Sequence, residues 1–312
     1  MDNSIKQALE QFNITENVPI KYIKQNSQST QTWEVDSKYF IKQFAADLSK
    51  AERIVRLNTL LRRENVPVAH YHKTKTGDVC ACVDGIYYTL ADKLPGTVLP
   101  DILYGRNKTN AKKLVYVMGK NLAKLHLALK KLDGQIEAWD NNIMNELHGW
   151  ILTEIQTKQI PVNQEVIDYC ISFCDLYQRL PRQLIHRDPH LGNFLWVNDE
   201  ITGVLDFDLT QINSRVLDLY YAFGPCKEHF DEWLMLRSYF LSGYNGVSPI
   251  SKDEMSAYPY MTVLFELLWV AFVSTQNRKD KSIEEAVNNL HWMYSVREEF
   301  EILDKHLSIK SI

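Results

Sequence analysis

Asp188, Asn193, Asp206 and Asp208 are the residues of this 312-residue chain whose types and spacing could do chemistry. Asp188 lies in His186-Arg187-Asp188-Pro189-His190-Leu191-Gly192-Asn193, and Asp206-Phe207-Asp208 follows after a short apolar stretch. A carboxylate held at a strand end can take the proton of an attacking hydroxyl, and the oxygens of Asn and Asp suit a hard divalent cation such as magnesium. Moving a phosphoryl group from ATP asks little more of a protein than these two services and a cation on the phosphates. Any one of these residues could equally cap a turn through its own backbone. The set together, at fixed spacing, points to chemistry.

The elements that must hold them are short and apolar. Leu184-Ile185, Phe194-Leu195-Trp196-Val197 and Gly203-Val204-Leu205 read as strands, with Asn198-Asp199-Glu200 a turn between the last two. One strand-loop-strand hairpin is therefore expected to carry Asp188, Asn193 and Asp206.

The spacing resembles the His-Arg-Asp-x-x-x-x-Asn loop and downstream Asp-Phe-Gly of protein kinases. The full loop, through His190 and Gly192, is more similar to the His-Gly-Asp-Leu-His-Pro-Gly-Asn loop of the aminoglycoside phosphotransferase and choline kinase superfamily. Arg187 stands where that superfamily usually has glycine, a difference expected to touch only loop packing. The resemblance implies an α+β, bilobal, protein-kinase-like fold with a small antiparallel-sheet N-lobe (1–92) and a larger, mainly helical C-lobe (93–312), with helical insertions at about 135–180 and 228–307. It also implies ATP and Mg2+ as cofactors and a small-molecule hydroxyl as acceptor. Asp188 would be the catalytic base, and Asn193 and Asp206 the metal ligands. Asp208 would assist the metal or bind locally. His190 would support the loop or contact the reacting groups, and His186 has a structural part.

Composition sets bounds. Apolar residues at 45% and charged residues at 24% are ordinary for a globular chain. A net charge of −4 argues against a nucleic-acid partner and weakly favours a neutral or cationic acceptor. Five cysteines without a Cys-x-x-Cys pair argue against a disulfide framework. Met1 to Gln7 has no secretory pattern, and the apolar run Tyr260 to Val273 is short for a bilayer, so a cytoplasmic protein without a membrane partner is expected.

Along the chain, Ile5, Leu9 and Phe12 mark an amphipathic helix over residues 1 to 12. Lys21 to Gln25, Thr32 to Val35 and Lys38 to Phe44 alternate as three antiparallel strands. The loop between the first two, Asn26 to Gln31, would cover the phosphates in the superfamily, but it has no glycine. Lys42 resembles the lysine that binds the α and β phosphates. Leu48 to Arg63 reads as a helix, in which Glu52 either pairs with Lys42 or closes a Ser49-Lys50-Ala51-Glu52 capping box. A hairpin is expected around Asp84-Gly85, leading to Leu90-Ala91-Asp92-Lys93-Leu94-Pro95-Gly96. That phrase resembles the family hinge, with Ala91, Asp92 and Lys93 nearest the adenine.

The remainder reads as helices over 112–131, 138–158, 162–179, 228–241, 252–275 and 282–307, with His126 and Asp218 structural. Glu266 and Trp269, at i and i+3, would suit a cationic amine, although such aromatic stripes are more often core. Only twelve positions separate Asp206 from Asp218, too few for a kinase activation segment, which disfavours a protein substrate. The expectation is an ATP- and magnesium-dependent kinase of a small-molecule hydroxyl. The alternatives are a non-catalytic nucleotide-binding scaffold and a protein kinase.

Overall fold

The computed structural model describes residues 3–14, 18–23, 30–44, 47–99, 108–276 and 280–300. Two compact units divide the chain. One comprises Met1–Pro100, Lys131–Glu137 and Gly192–Leu209, and the other Asp101–Lys130, Ala138–Leu191 and Thr210–Ile312. The sheet-rich first unit and the helical second bear out the α+β expectation.

In the first unit, strands Ile20–Ile23, Thr30–Val35, Tyr39–Phe44 and Ile86–Asp92 pair antiparallel in that spatial order, with Tyr71–His72 and Ala81–Val83 also on Ile86–Asp92. Alternation decides which faces are buried: Trp33, Val35 and Ile41 point to a core that Ile5 and Leu9 of the Asn3–Gln11 helix and Phe12 just after it complete. The hairpin at Asp84-Gly85 turns with both residues at positive φ (51° and 77°), the geometry of a tight two-residue turn. The Leu48–Arg63 helix buries Ile54, Leu57 and Leu61 as their spacing predicts. Of the phosphate loop expected at Asn26 to Gln31, residues 26–29 lie outside the described residues, and Thr30 and Gln31 already belong to the strand Thr30–Val35.

Phe194–Val197 and Glu200–Val204 form a hairpin around Asn198 and Asp199, again at positive φ, and Thr97–Val98 joins it. One expectation fails here. Arg182–Ile185 does not belong to that hairpin. It pairs antiparallel with Gln211–Ser214, which pairs parallel with Trp139–Asp140 in the second unit. Gln211 to Ser214 is polar in sequence and carried no strand signal; its pairing partners make it one.

The second unit is helical. Lys108–Lys131, Phe230–Asn245, Lys252–Thr275 and Asp280–Ser295 are its long elements. The first two cross in backbone contact: a Cβ on Gly119 would stand 2.0 Å from the Phe240 carbonyl oxygen, and one on Gly243 would stand 2.1 Å from that of Tyr116. Ser251 and Glu254 start Lys252–Thr275 with a reciprocal capping box. By length and composition this helix could cross a membrane, but 78% of its apolar window is buried inside the protein. Two predicted helices are interrupted. Residues 138–158 open with a two-residue strand and continue as a helix with a π turn at Leu147–Ile151, and 162–179 breaks at Phe173 between Gln164–Ser172 and Cys174–Arg179. The predicted end of the last helix, 301–307, lies outside the described residues.

Candidate active site

In the first unit the strand Tyr39–Phe44 presents Lys42, whose Nζ donates to Asp208 Oδ1 at 2.8 Å and lies 3.6 Å from Asp206 Oδ1. Lys50 Nζ is 3.2 Å from the other oxygen of Asp208, and Arg53 donates to the Asp208 carbonyl. Burial pushes the Asp208 carboxyl up, but Lys42 and then Lys50 outweigh it and hold it below the usual carboxylate range. Asp206 takes the left-handed conformation (φ 58°) just after the strand, and about half of its side chain is exposed. Leu205 N–H donates to the Asn193 carbonyl at 2.9 Å, which ties the two strand ends carrying Asn193 and Asp206.

Asn193 and Asp206 fit magnesium, an amide and a carboxylate giving oxygen ligands of the hard kind with neither sulfur nor imidazole among them. Asp208, expected to assist the metal or bind locally, instead has both oxygens taken by Lys42 and Lys50. Among the described residues no group of three or more His, Cys, Asp or Glu gathers as a metal cluster.

Lys42 thus takes its carboxylate partners from the Asp206–Asp208 turn and not from the neighbouring helix. Glu52 is exposed on that helix, and Asp47, accepting from Lys50 N–H at 2.9 Å, is the N-cap. The expected Ser49–Glu52 capping box is therefore replaced by a cap that starts two residues earlier. Ala91 lies buried in Ile86–Asp92, paired with Phe40 and Tyr71. Asp92 and Lys93 direct their side chains to His72 (2.6 Å) and Glu34 (2.6 Å), and their backbone N–H groups donate to the carbonyls of His70 and Lys38. Tyr71 had no distinguishing signal in the sequence. Burial and then the charges of Asp208 and Asp206 push its hydroxyl up, which puts it beside the same carboxylates.

In the second unit the loop after Arg182–Ile185 carries Asp188. Asp218, fully buried in the helix Val216–Ala222, accepts the backbone N–H of His186 on one oxygen and that of Arg187 on the other, both at 2.8 Å. Its Oδ2 also lies 3.0 Å from His126 Nε2, while His126 Nδ1 meets the Tyr244 hydroxyl at 2.6 Å. His186 in turn accepts Asp188 N–H on Nδ1 at 3.2 Å. His126, His186 and Asp218 are structural as expected, but Asp218 does more than face a helix start: it fixes the two peptides immediately before Asp188.

The Asp188 side chain, about one-fifth exposed, has His190 Nε2 at 3.8 Å and the Tyr221 hydroxyl as a hydrogen-bond partner. Burial, then the charge and hydrogen bond of Asp188, push Tyr221 up to about 12, against the lowering effect of Arg187. Tyr221 and Lys50 are the site neighbours that sequence reasoning passed over. The Tyr220-Tyr221 doublet two residues after Asp218 is the trace of the first.

Glu266 and Trp269 are not brought together. Glu266 is buried, accepting from Tyr220 Oη and, at 2.7 Å, from Asn289 Nδ2, and burial raises its carboxyl. Trp269 is more than a third exposed and packs beside Phe272. The i, i+3 relation held, but the helix face turns inward at one residue and outward at the other.

The chain matches the phosphotransferase enzyme family over residues 23–255. It is 28% identical over 149 residues to the homoserine kinase of Neisseria meningitidis serogroup B, an alignment covering 45% of this chain and 47% of that protein. The chain thus spans about half the length of this relative. Among solved structures, a microcompartment-associated aminopropanol kinase superposes with a TM-score of 0.70 at 16% identity, over 96% of this chain and 97% of its own. The GDP complex of wild-type aminoglycoside 2'-phosphotransferase-IIIa superposes with a TM-score of 0.65 at 14% identity, over 94% and 99%. These likenesses establish the fold.

Proposed function

Because the chain belongs to the phosphotransferase enzyme family, we propose that it transfers the γ-phosphate of ATP to the hydroxyl of a small molecule. The observation that carries this reading is the double clamp of Asp218 on the loop before Asp188. A fully buried carboxylate spent on two consecutive backbone amides holds one loop residue in place, which is what a positioned general base requires. Asp188 orients the acceptor hydroxyl and takes its proton. Lys42 neutralises phosphate charge, and Asn193 and Asp206 would hold magnesium, with Asp208 fixing Lys42. Held there, magnesium would supply positive charge to offset what develops on the phosphate in the transition state.

The relatives support the acceptor class, one being a homoserine kinase and another an aminopropanol kinase, and a third, solved with GDP, supports a nucleotide as the donor. The five cysteines are free thiols, which supports a reducing cytoplasm as the setting.

The test is ADP release from Mg-ATP across a panel of amino alcohols, hydroxy acids, sugars and aminoglycosides, with the Asp188→Asn variant beside the wild type. Turnover with one acceptor class, lost in the variant while nucleotide still shifts its melting temperature, is the expected result. Full turnover by Asp188→Asn would refute the assignment. Nucleotide binding with no acceptor in any class would favour a non-catalytic scaffold.

A further inference from the structure

Arg187 is the residue immediately before Asp188, and its backbone is in the left-handed region at φ 76°. Glycine takes that conformation freely, whereas a side-chain-bearing residue is held there at a cost of about 1 kcal/mol. The clamp from Asp218 on its N–H keeps it so. A strained residue next to the reacting centre invites a question about what its side chain does.

The side chain is half-buried, with its guanidinium 5.5 Å from the centre of the Phe265 ring. Tyr221 packs edge-on against the same ring at 5.0 Å, and its hydroxyl feels both Asp188 and Arg187. The guanidinium therefore lies on the Asp188 side of the loop. Among the described residues it makes no ion pair; the fully buried Asp218 is occupied by two backbone amides and His126. A planar, partly desolvated fork of donors stacked on an aromatic ring matches a carboxylate or phosphate bidentately.

We propose that Arg187 binds a carboxylate on the phosphate acceptor, so that the preferred substrate is a short alcohol bearing a carboxylate, such as a hydroxy amino acid. The inference rests on the phosphotransferase reading above and deepens it. Arg187 keeps to the second unit with Asp188, Tyr221 and Phe265, whereas the cations suited to the nucleotide, Lys42, Lys50 and Arg53, gather in the first. The anion it meets is accordingly assigned to the acceptor. The weak preference for a neutral or cationic acceptor drawn from net charge is compatible with this, since a hydroxy amino acid is a zwitterion of no net charge.

The test compares matched acceptors that differ by one carboxylate, L-homoserine against 3-amino-1-propanol and L-serine against ethanolamine, in wild type, Arg187→Gly and Arg187→Lys. At φ 76° glycine relieves strain, so Arg187→Gly is expected to fold, and its melting temperature checks this. The wild type should prefer the carboxylate member of a pair. Arg187→Gly should lower its kcat/KM by about 30- to 100-fold, the scale of hydrogen bonds to a charged group, with KM for ATP unchanged and the carboxylate-free partner much less affected. Arg187→Lys should recover part of the loss.

An equal loss for both members would reduce Arg187 to a packing residue and overturn the proposal. A rise in KM for ATP would assign the anion to the nucleotide, and preference for the amino alcohols would overturn it directly. Failure of Mg-ATP to shift the wild-type melting temperature, with no ADP released from any acceptor, would instead bring down the phosphotransferase reading itself.

Discussion

Asp218 and His126, from helices distant in the chain and both buried, meet at 3.0 Å, and the same carboxylate holds the amides of His186 and Arg187. An isosteric amide at 218 would keep one acceptor oxygen and turn a donor toward a donor. Asp218→Asn should lower stability by about 2 kcal/mol, the cost of a buried donor left unmatched, and should lower kcat as well. Urea unfolding and steady-state kinetics read the two effects.

We infer that the Tyr221 hydroxyl, pushed up by burial and then by Asp188, positions that carboxylate, its ring packing edge-on against Phe265. Tyr221→Phe keeps the edge-on contact with Phe265 and removes only the hydrogen bond. Turnover should fall roughly tenfold, the worth of one charge-assisted hydrogen bond, with KM for ATP unmoved. An unchanged kcat would make the tyrosine a packing residue.

Lys42 holds Asp208 against burial that would otherwise raise its carboxyl. A carboxylate depressed in the folded state contributes stability above its unfolded pKa, and that contribution is lost as pH falls through the folded one. Lys42→Met removes much of the depression, so acid unfolding should begin at a higher pH than in the wild type. KM for ATP should rise in parallel. Circular dichroism during acid titration follows the first effect.

Glu266 has the opposite sign. Burial raises its carboxyl, with Tyr220 and Asn289 opposing, so its contribution is fully present below the unfolded pKa and fades as pH rises toward the folded one. Glu266→Gln removes the charge and should melt higher than the wild type at neutral pH, with the difference vanishing near pH 4. An increase in acceptor KM would show that the carboxylate reaches substrate after all.

What could be read beforehand was local. The loop from His186 to Asn193 carries its chemistry in residue type and spacing, and the Leu48–Arg63 helix shows in its apolar period. Partner choice could not be read in this way. Lys42 pairs with a carboxylate 166 residues away, so Glu52, near in sequence and plausible in type, stood as its candidate partner until the fold chose otherwise. The same holds for Arg182–Ile185: its apolar pattern marks a strand, but its neighbour, Gln211–Ser214, is polar because hydrogen-bonded pairing there needs no apolar face. Arg187 was read as a packing detail because a backbone angle leaves no mark on composition.

The contact of the Lys108–Lys131 and Phe230–Asn245 helices at Gly119 and Gly243 leaves no room for a layer of side chains between them. Their separation is therefore set by main chain alone, a dimension that no choice of larger or smaller hydrophobic residue can adjust. His126 and Tyr244 ride on these two helices, and their link is the first in the chain of contacts leading to Asp188. The alignment of the loop that carries Asp188 is in this way referred to a fixed backbone gauge, insulated from the drift that repacking would bring to an ordinary helical interior.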